Sequence, residues 1–406
     1  MNIAALHRRP HGPLGERVSE SAAMTTASSS TPRIRIACVL GTRPEVVKMA
    51  PVIDALATSP RFEPLLVNTG QHRDLLAETM ALFALRPDVS LDLMRPGQRL
   101  AGFFGRCVDA LDRALDDAKP AAVIAQGDTS TVFAAALVAF YQNLPFFHVE
   151  AGLRTGNFRN PFPEEMNREI ATRFAALHFA PTATARANLL DERVPDDAVI
   201  VTGNTVIDAL LMVRKRALPH GVPLSPGRRL IVVTAHRREN FGAPMRAMLR
   251  ALATIATRWP DVEIVYPAHP NPEVRRAIRE TLGDQQRVRI VDPIGYGPFV
   301  TLLDAATLVL TDSGGIQEEA PALGKPVLVM REETERPEAV TAGVAALVGT
   351  DEQRIVEATG RLLDDPQAYA RMAQGASPYG DGHAAARIVA AIERYFEAPA
   401  HARRAR

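Results

Sequence analysis

The 406-residue chain is 47% hydrophobic and 23% charged, an ordinary globular balance, and its length suits two domains better than one. Its 47 basic and 46 acidic residues leave a formal net charge of +1, so no global basic field exists to attract nucleic acid. Two cysteines, Cys38 and Cys107, are too few for a disulfide framework or a cysteine-based zinc site, and no apolar run approaches the roughly 18–20 residues of a membrane span.

Residues 1–32 are rich in Arg, Ser, Ala, Gly and Pro. They lack the apolar core of a secretory signal, and Glu16 and Glu20 argue against a transit peptide. The segment is expected to be a disordered tail, with Met24 as an alternative start, and 397–406 a second tail. A cytoplasmic location is expected.

Ordered structure begins with the β-branched run Ile34–Leu40, which reads as a buried strand. Gly41 permits a tight turn, Pro44 suits a first helical turn, and apolar residues then recur at helical spacing. This is a strand–loop–helix unit of the Rossmann type. Its loop is not G-x-G-x-x-G, so no dinucleotide is predicted. The loop offers Arg43 and, one turn on, Lys48. A cation at a helix N-terminus opposes the macrodipole, so Arg43 there favours an anionic ligand over a merely solvated charge.

The pattern repeats along the chain. A strand at 64–67 leads to Gln71 and His72. A helix covers 101–118, and a strand at 121–125 leads to Gln126-Gly127-Asp128 and a helix through Phe140. A short strand ends at Glu150, and a helix is predicted over 163–174. Strand and helix follow in LHFAPT and TARANLLDE, then in VIVTGNTVIDALLMV. Residues 219–229, rich in Pro and Gly, read as a surface loop. The alternation then restarts with strands in LIVVTA, VEIVYPA, VRIVDP, ATLVLT and KPVLVM, and a final helix is predicted near 381–396. Such alternation predicts an α/β fold with parallel sheets, built as two successive nucleotide-binding-type halves.

In open parallel sheets, ligands bind beyond the carboxyl ends of the strands. The polar groups predicted there are Arg43, Gln71-His72, Asp128, Glu150, His236, His269 and Asp312-Ser313. The stretch 126–169 adds Glu164. Its three acids are expected to be displayed in loops rather than buried, where they can move protons. Ser313-Gly314-Gly315 precedes a helix whose free N–H groups and dipole make an anion site. Two adjacent glycines weaken a helix start unless something needs the space, which favours a diphosphate over an ordinary capped helix. Glu319, one turn further, is placed to accept ribose hydroxyls. His236 and Arg237 either reach a second phosphate oxygen or belong to a surface ion-pair cluster. His148-Val149-Glu150 has the H-x-E form of a deaminase, but no P-C-x-x-C follows, so His148 reads as a core or supporting histidine. No other His/Asp/Glu set has credible metal spacing.

The segments GTRPEVVKMAP, QHRDLL, GDTSTVFAA, HVEAGLRTG, PEEMNR, TGNTVIDALL, HRREN, TDSGGIQEEAPALGKPVLVMRE, TERPEAVTAG and PYGDGH occur in that order over about residues 34–396. Together they resemble the non-hydrolysing UDP-N-acetylglucosamine 2-epimerases. The resemblance implies a GT-B-like fold of two Rossmann-like domains with the active site in the cleft between them. It implies domains at 33–203 and 204–381, with a C-terminal helix at 382–396 returning to the first. It implies interconversion of UDP-N-acetylglucosamine (UDP-GlcNAc) and UDP-N-acetylmannosamine (UDP-ManNAc), supplying ManNAc for cell-surface polysaccharide, by a homodimer that needs no NAD, metal or other cofactor. Carried over by position, the catalytic groups fall on Asp128, Glu150, Glu164 and His236. Phosphate contacts fall on Arg43, His236, Ser313, Gly314 and Gly315, the ribose carboxylate on Glu319, and a further active-site lysine on Lys48. A second, activating UDP-GlcNAc site maps to Gln71, His72, Arg237 and His269.

The chemistry is consistent with that implication. No carbonyl adjoins C2 of UDP-GlcNAc, so its proton is not acidic. Loss of UDP from C1 acidifies it, giving 2-acetamidoglucal, and re-addition with the proton on the other face completes inversion. The leaving diphosphate needs cationic and helix-end stabilisation, the ring needs acid/base groups on both faces, and domain closure would exclude water. Which acid serves which face stays open. A GT-B glycosyltransferase, a hydrolysing epimerase and a non-catalytic nucleotide-sugar sensor are the alternatives.

Overall fold

The computed structural model describes residues 32–70, 74–283, 285–375 and 377–399. The tail expected at the N-terminus, the last residues of the C-terminal one, Gln71 and His72 lie outside these.

The first sheet contains β1 (Ile34–Leu40), β2 (Phe62–Asn68), β3 (Val89–Ser90), β4 (Ala122–Gln126), β5 (Phe146–Val149), β6 (Ala175–Ala180) and β7 (Val199–Val201). Its order is β3-β2-β1-β4-β5-β6-β7, and its strand pairs are parallel. Helices α1 (Arg43–Thr58), α2 (Asp74–Leu82), α3 (Leu100–Ala118), α4 (Ser130–Tyr141), α5 (Glu164–Thr172), α6 (Ala183–Asp191) and α7 (Thr205–Arg214) alternate with them. The second sheet holds β8 (Arg229–Thr234), β9 (Val262–Pro267), β10 (Val288–Val291), β11 (Leu308–Thr311), β12 (Val327–Val329) and β13 (Ala345–Leu347), in the order β10-β9-β8-β11-β12-β13, again parallel. Its helices are α8 (Ala243–Arg258), α9 (Pro272–Leu282), α10 (Tyr296–Ala305), α11 (Gly314–Ala322), α12 (Pro337–Thr341), α13 (Glu352–Asp364), α14 (Pro366–Ala373) and α15 (Ala384–Glu397).

The apolar runs are continuous because helices cover both faces of each sheet; every residue of β4 is buried. Each strand order reverses once. The reversal falls between β1 and β4 in the first sheet and between β8 and β11 in the second. At such a point the two following loops diverge and leave a crevice. The loops after β1 and β4, and those after β8 and β11, are therefore where polar groups can gather.

One apolar core joins the halves. Val206 and Leu210 of α7, Val47 of α1, and Ile388 and Ile392 of α15 share it with Val232 and Val309 of the second sheet. Helix α15 follows the second sheet in sequence yet packs on the first half: Tyr395 meets Phe147 edge-on at 5.2 Å, and Phe396 lies 6.2 Å from Phe62. Its first N–H groups are satisfied from outside, because Asp208 on α7 accepts from Ala384 N at 3.2 Å and Ala385 N at 2.9 Å. Glu397, expected in a tail, closes this helix. Both cysteines are buried and free, and among the described residues no helix is long and apolar enough to cross a membrane.

Residues 345–373, assigned no element from the sequence, form β13, α13 and α14. The signal for α13 is legible: Asp351 caps it, and Ile355, Val356, Thr359, Leu362 and Leu363 follow on one face. The loop after β5 contains Glu150 at φ 62° and Gly152 at φ 91°. A Cβ on Gly152 would lie 2.2 Å from the Ala185 carbonyl oxygen, so helix α6 leaves no room for one. Gly152→Ala is expected to destabilise the fold by roughly 2–3 kcal/mol or more, since backbone must move as well as strain be accepted. Equilibrium unfolding in urea checks it; an unchanged midpoint would contradict the close approach.

Candidate active site

A cleft of about 540 Å³ opens at the crevice of the first sheet and is closed on its far side by residues 334–337 of the second half. Thr42, Lys48, Asp128, Glu150 and Arg168 line one wall, and Thr334 and Arg336 the other.

The β1–α1 corner is set by a residue that sequence reasoning overlooked. Glu45 Oε2 accepts from Gly41 N at 2.8 Å and Thr42 N at 2.7 Å, while Oε1 accepts from Thr129 Oγ1 at 2.6 Å. This carboxylate ties the loop after β1 to the loop after β4. Burial raises its pKa, and these hydrogen bonds work against that. The signal was present as the capping-box spacing of Thr42 and Glu45.

Glu150 departs from expectation. It was expected on display, yet it is only 8% exposed. It follows the fully buried strand β5, and its left-handed backbone turns the side chain inward under the cleft. Lys48 Nζ donates to both carboxylate oxygens, at 2.7 and 2.6 Å. Gln126 Nε2 donates to Oε2, and Asn204 Nδ2 donates to Oε1 at 2.9 Å. Burial alone would raise the pKa of Glu150, but Lys48 and Arg336 more than offset it and hold the carboxyl below its ordinary value. Lys48 is itself raised: burial opposes its charge, and Glu150 and Glu318 outweigh burial.

Asp128 lines the same cleft under different electrostatics. Its carboxylate meets Arg168 at 2.7 Å. Burial pushes its pKa up; Arg168 opposes this, and the charges of Glu150 and Glu164 add to the rise. Glu164 opens α5 within electrostatic reach of Asp128, outside the ring of cleft-lining residues. Its neighbour Glu165, fully buried, accepts from Thr155 N at 2.7 Å and Gly156 N at 2.9 Å and lies 3.3 Å from Arg168. Glu165 thus fixes both the loop after β5 and the cation that faces Asp128. His148, expected in the core, is buried there and bonds Gly127 O through Nε2 at 2.8 Å. Burial depresses its pKa to about 4, so the ring is neutral, and only a protonated Nε2 can serve a carbonyl.

In the second half, Ser313 stands at the N-cap position of α11 with no side-chain cap bond, and Gly314 and Gly315 begin its first turn. Thr234 and Thr311 hydroxyls meet at 2.6 Å across β8 and β11, holding the two loops in register. Fully buried Asp312 acts as a staple: Oδ2 accepts from His236 N and Arg237 N, both at 2.8 Å. His236 stands beside it, with Nδ1 3.6 Å from Oδ1, and its ring stacks on His269 at 5.7 Å. Arg237 reaches back over the helix start, where a Cβ on Gly314 would meet its guanidinium at 3.7 Å. Arg237 and His269, mapped to an activating site, therefore adjoin His236 and α11. Glu319 accepts from Tyr296 OH at 2.7 Å. Burial pushes its pKa to about 7; Glu318 adds to the rise, against Tyr296, Lys48 and Arg43. Arg43 makes no hydrogen bond or ion pair among the described residues, yet its field reaches Glu319, so the cation at the start of α1 faces α11 across the crevices. Among the described residues, no three His, Cys, Asp or Glu side chains are arranged to hold a metal ion.

The family model for UDP-N-acetylglucosamine 2-epimerase matches residues 54–393. A UDP-N-acetylglucosamine 2-epimerase of Escherichia coli strain K12 is 50% identical over 370 residues, covering 89% of this chain and 98% of that protein. The crystal structure of UDP-GlcNAc 2-epimerase from Neisseria meningitidis bound to UDP-GlcNAc is 42% identical, superposes with a TM-score of 0.81, and covers 89% of this chain and all of that one, 100%. At 14% identity and a TM-score of 0.60, the glycotransferase of kitacinnamycin shares the fold alone, over 89% of this chain and 99% of its own. The architecture is α/β and GT-B-like, with two parallel sheets. The chain belongs to the UDP-N-acetylglucosamine 2-epimerase family.

Proposed function

We infer that this chain interconverts UDP-GlcNAc and UDP-ManNAc by inverting the sugar at C2. One observation carries the chemistry. Two carboxylates share a single cleft, and their surroundings push their protonation in opposite directions, Glu150 down and Asp128 up. Such divergence gives two carboxyls in one site different roles: the raised one can carry a proton and the depressed one stays ionised. The name of the Escherichia coli relative and the sugar nucleotide in the Neisseria meningitidis structure support the substrate.

The reaction begins with departure of UDP from C1 as the C2 proton is taken up, which leaves 2-acetamidoglucal. The glucal then takes a proton at C2 from the opposite face as UDP re-adds to C1, so atoms and charge balance. Arg43, His236 and the first turn of α11 receive the diphosphate, where charge develops as the bond breaks. Glu319 takes the ribose. Asp128 is the proton carrier of one face, with Glu164 the nearby candidate for the other. Glu150, already engaged by Lys48, Gln126 and Asn204, is the fixed anion beside the oxocarbenium character at C1. The two sheets act as the two domains of this reading, with the first carrying the acids and the second the nucleotide. A homodimer, a cytoplasmic location and activation by a second UDP-GlcNAc near Arg237 and His269 belong to the same reading and rest on family membership.

Incubation with UDP-GlcNAc in D2O, followed by NMR, tests it. UDP-ManNAc carrying deuterium at C2 is expected. UDP release without C2 exchange would instead indicate transfer, free ManNAc carrying deuterium at C2 would indicate a hydrolysing epimerase, and no reaction would indicate a sensor.

A further inference from the structure

Asn204 lies where the chain leaves the first sheet, as the N-cap of α7. Its position is fixed on three sides. Its backbone N–H donates to Tyr379 O at 2.6 Å. Its Oδ1 accepts from Val206 N at 3.1 Å. The preceding Gly203 has φ 87°, and a Cβ there would lie 3.1 Å from Gly380 Cα, so the 203–204 segment is pressed against 379–380. With Oδ1 committed to the helix, the orientation of the amide is determined, and Nδ2 must point away from α7. Its two hydrogens go to two carboxylates from different halves of the molecule: Glu150 Oε1 at 2.9 Å and Glu318 Oε2 at 2.7 Å. Glu318, in α11 one turn from the Ser313-Gly314-Gly315 cap, is held on its other oxygen by Arg336.

We propose that Asn204 is a positioning residue for epimerisation, bridging Glu150 to the diphosphate-binding helix α11 so that the anion beside the sugar and the site of the leaving group keep one relative placement. A neutral amide N–H₂ suits this place because it donates to both acids and adds no charge. A carboxylate would repel both. A lysine would compete with Lys48 for Glu150 and with Arg336 for Glu318. None of the three candidate acids reaches α11 directly by a hydrogen bond among the described residues; Asn204 makes the link for Glu150. The charged and titratable groups facing Glu150 are Lys48 from α1, Asp128 from the loop after β4, His148 from β5, and Glu318 and Arg336 from the second half.

The inference rests on the epimerase reading, and the test separates the two. Wild type, Asn204→Ser and Asn204→Asp are compared by C2 deuterium exchange from UDP-GlcNAc across pH, with UDP affinity and thermal unfolding measured alongside. Serine and aspartate both cap helices about as well as asparagine, so the N-terminus of α7 keeps its cap. Asn204→Ser is expected to lower kcat by about 10- to 100-fold, the factor for losing hydrogen bonds to charged groups, with KM and UDP affinity little changed. Asn204→Asp is expected to lower kcat further and move the acid limb of kcat/KM to higher pH, because a third carboxylate raises Glu150. If Asn204→Asp does not fold, Asn204→Ser decides. Wild-type kcat and pH profile in the folded variants would overturn the inference. So would an activity loss that follows unfolding alone with the pH profile unmoved. A wild type without C2 exchange overturns the epimerase reading, and this inference with it.

Discussion

Asp128→Asn is expected to lower kcat by about 10²-fold or more, the scale of a general acid–base contribution, with UDP affinity largely retained. The substitution is nearly isosteric and removes the ability to carry a proton. Its amide oxygen still accepts from Arg168, and Arg168 keeps Glu165 at 3.3 Å, so no buried cation is stranded. The backbone at this position is also held independently of the side chain: Asn167 Nδ2 donates to Asp128 O at 2.9 Å. In the proposed function the diphosphate is received by α11, His236 and Arg43 and not by Asp128, so affinity should not follow activity down. That split distinguishes lost proton transfer from lost binding. The measurement is the rate of C2 deuterium incorporation at saturating UDP-GlcNAc, paired with calorimetric UDP binding. Turnover near wild type would reject Asp128 as a proton carrier.

The alternation of strands and helices was legible because each strand is a short apolar run closed by a polar loop, and period and punctuation suffice to locate such units. The crevices follow from sheet order, which no local pattern encodes. The polar residues that end β1, β4, β8 and β11 were nevertheless readable as site candidates, because a parallel sheet displays its ligand-binding loops at one edge. Glu150 shows where this reasoning fails. A carboxylate after a strand looks exposed in sequence; its burial depends on Lys48, Gln126 and Asn204, which lie far from it in the chain. Asn204 had a clear local role as a helix cap, and that role hid the second one. Glu45 was hidden likewise behind its capping box. Asp312 was readable as a ligand-facing group, yet it spends its side chain on the backbone of His236 and Arg237. In the stretch that folds as β13, α13 and α14, the strand is only three residues long, too short to register as an apolar run, although the spacing of α13 was helical.

Replacing Lys48 by methionine is expected to destabilise the protein by roughly 3–5 kcal/mol at neutral pH, the range for removing one partner of a buried ion pair. Methionine fills similar space, so the loss reports charge more than packing. In the native protein the Glu150 carboxyl is held below its ordinary value. Its contribution to stability is therefore present above the unfolded pKa, near 4.5, and is lost as pH falls through the folded pKa. Without Lys48 the balance reverses, because burial is the largest influence on Glu150 and now prevails over Arg336 and the remaining hydrogen bonds. A raised folded pKa makes stability fall as pH rises through it. Wild type and Lys48→Met should therefore lie closest together in acid and diverge toward neutrality. Adding Glu150→Gln removes the stranded charge and should restore most of the stability at neutral pH without restoring epimerisation, because the anion proposed to stand beside C1 is gone. Urea unfolding of the three proteins from about pH 4 to about pH 8 resolves these slopes. Parallel curves for wild type and Lys48→Met would show that Lys48 does not hold Glu150 ionised.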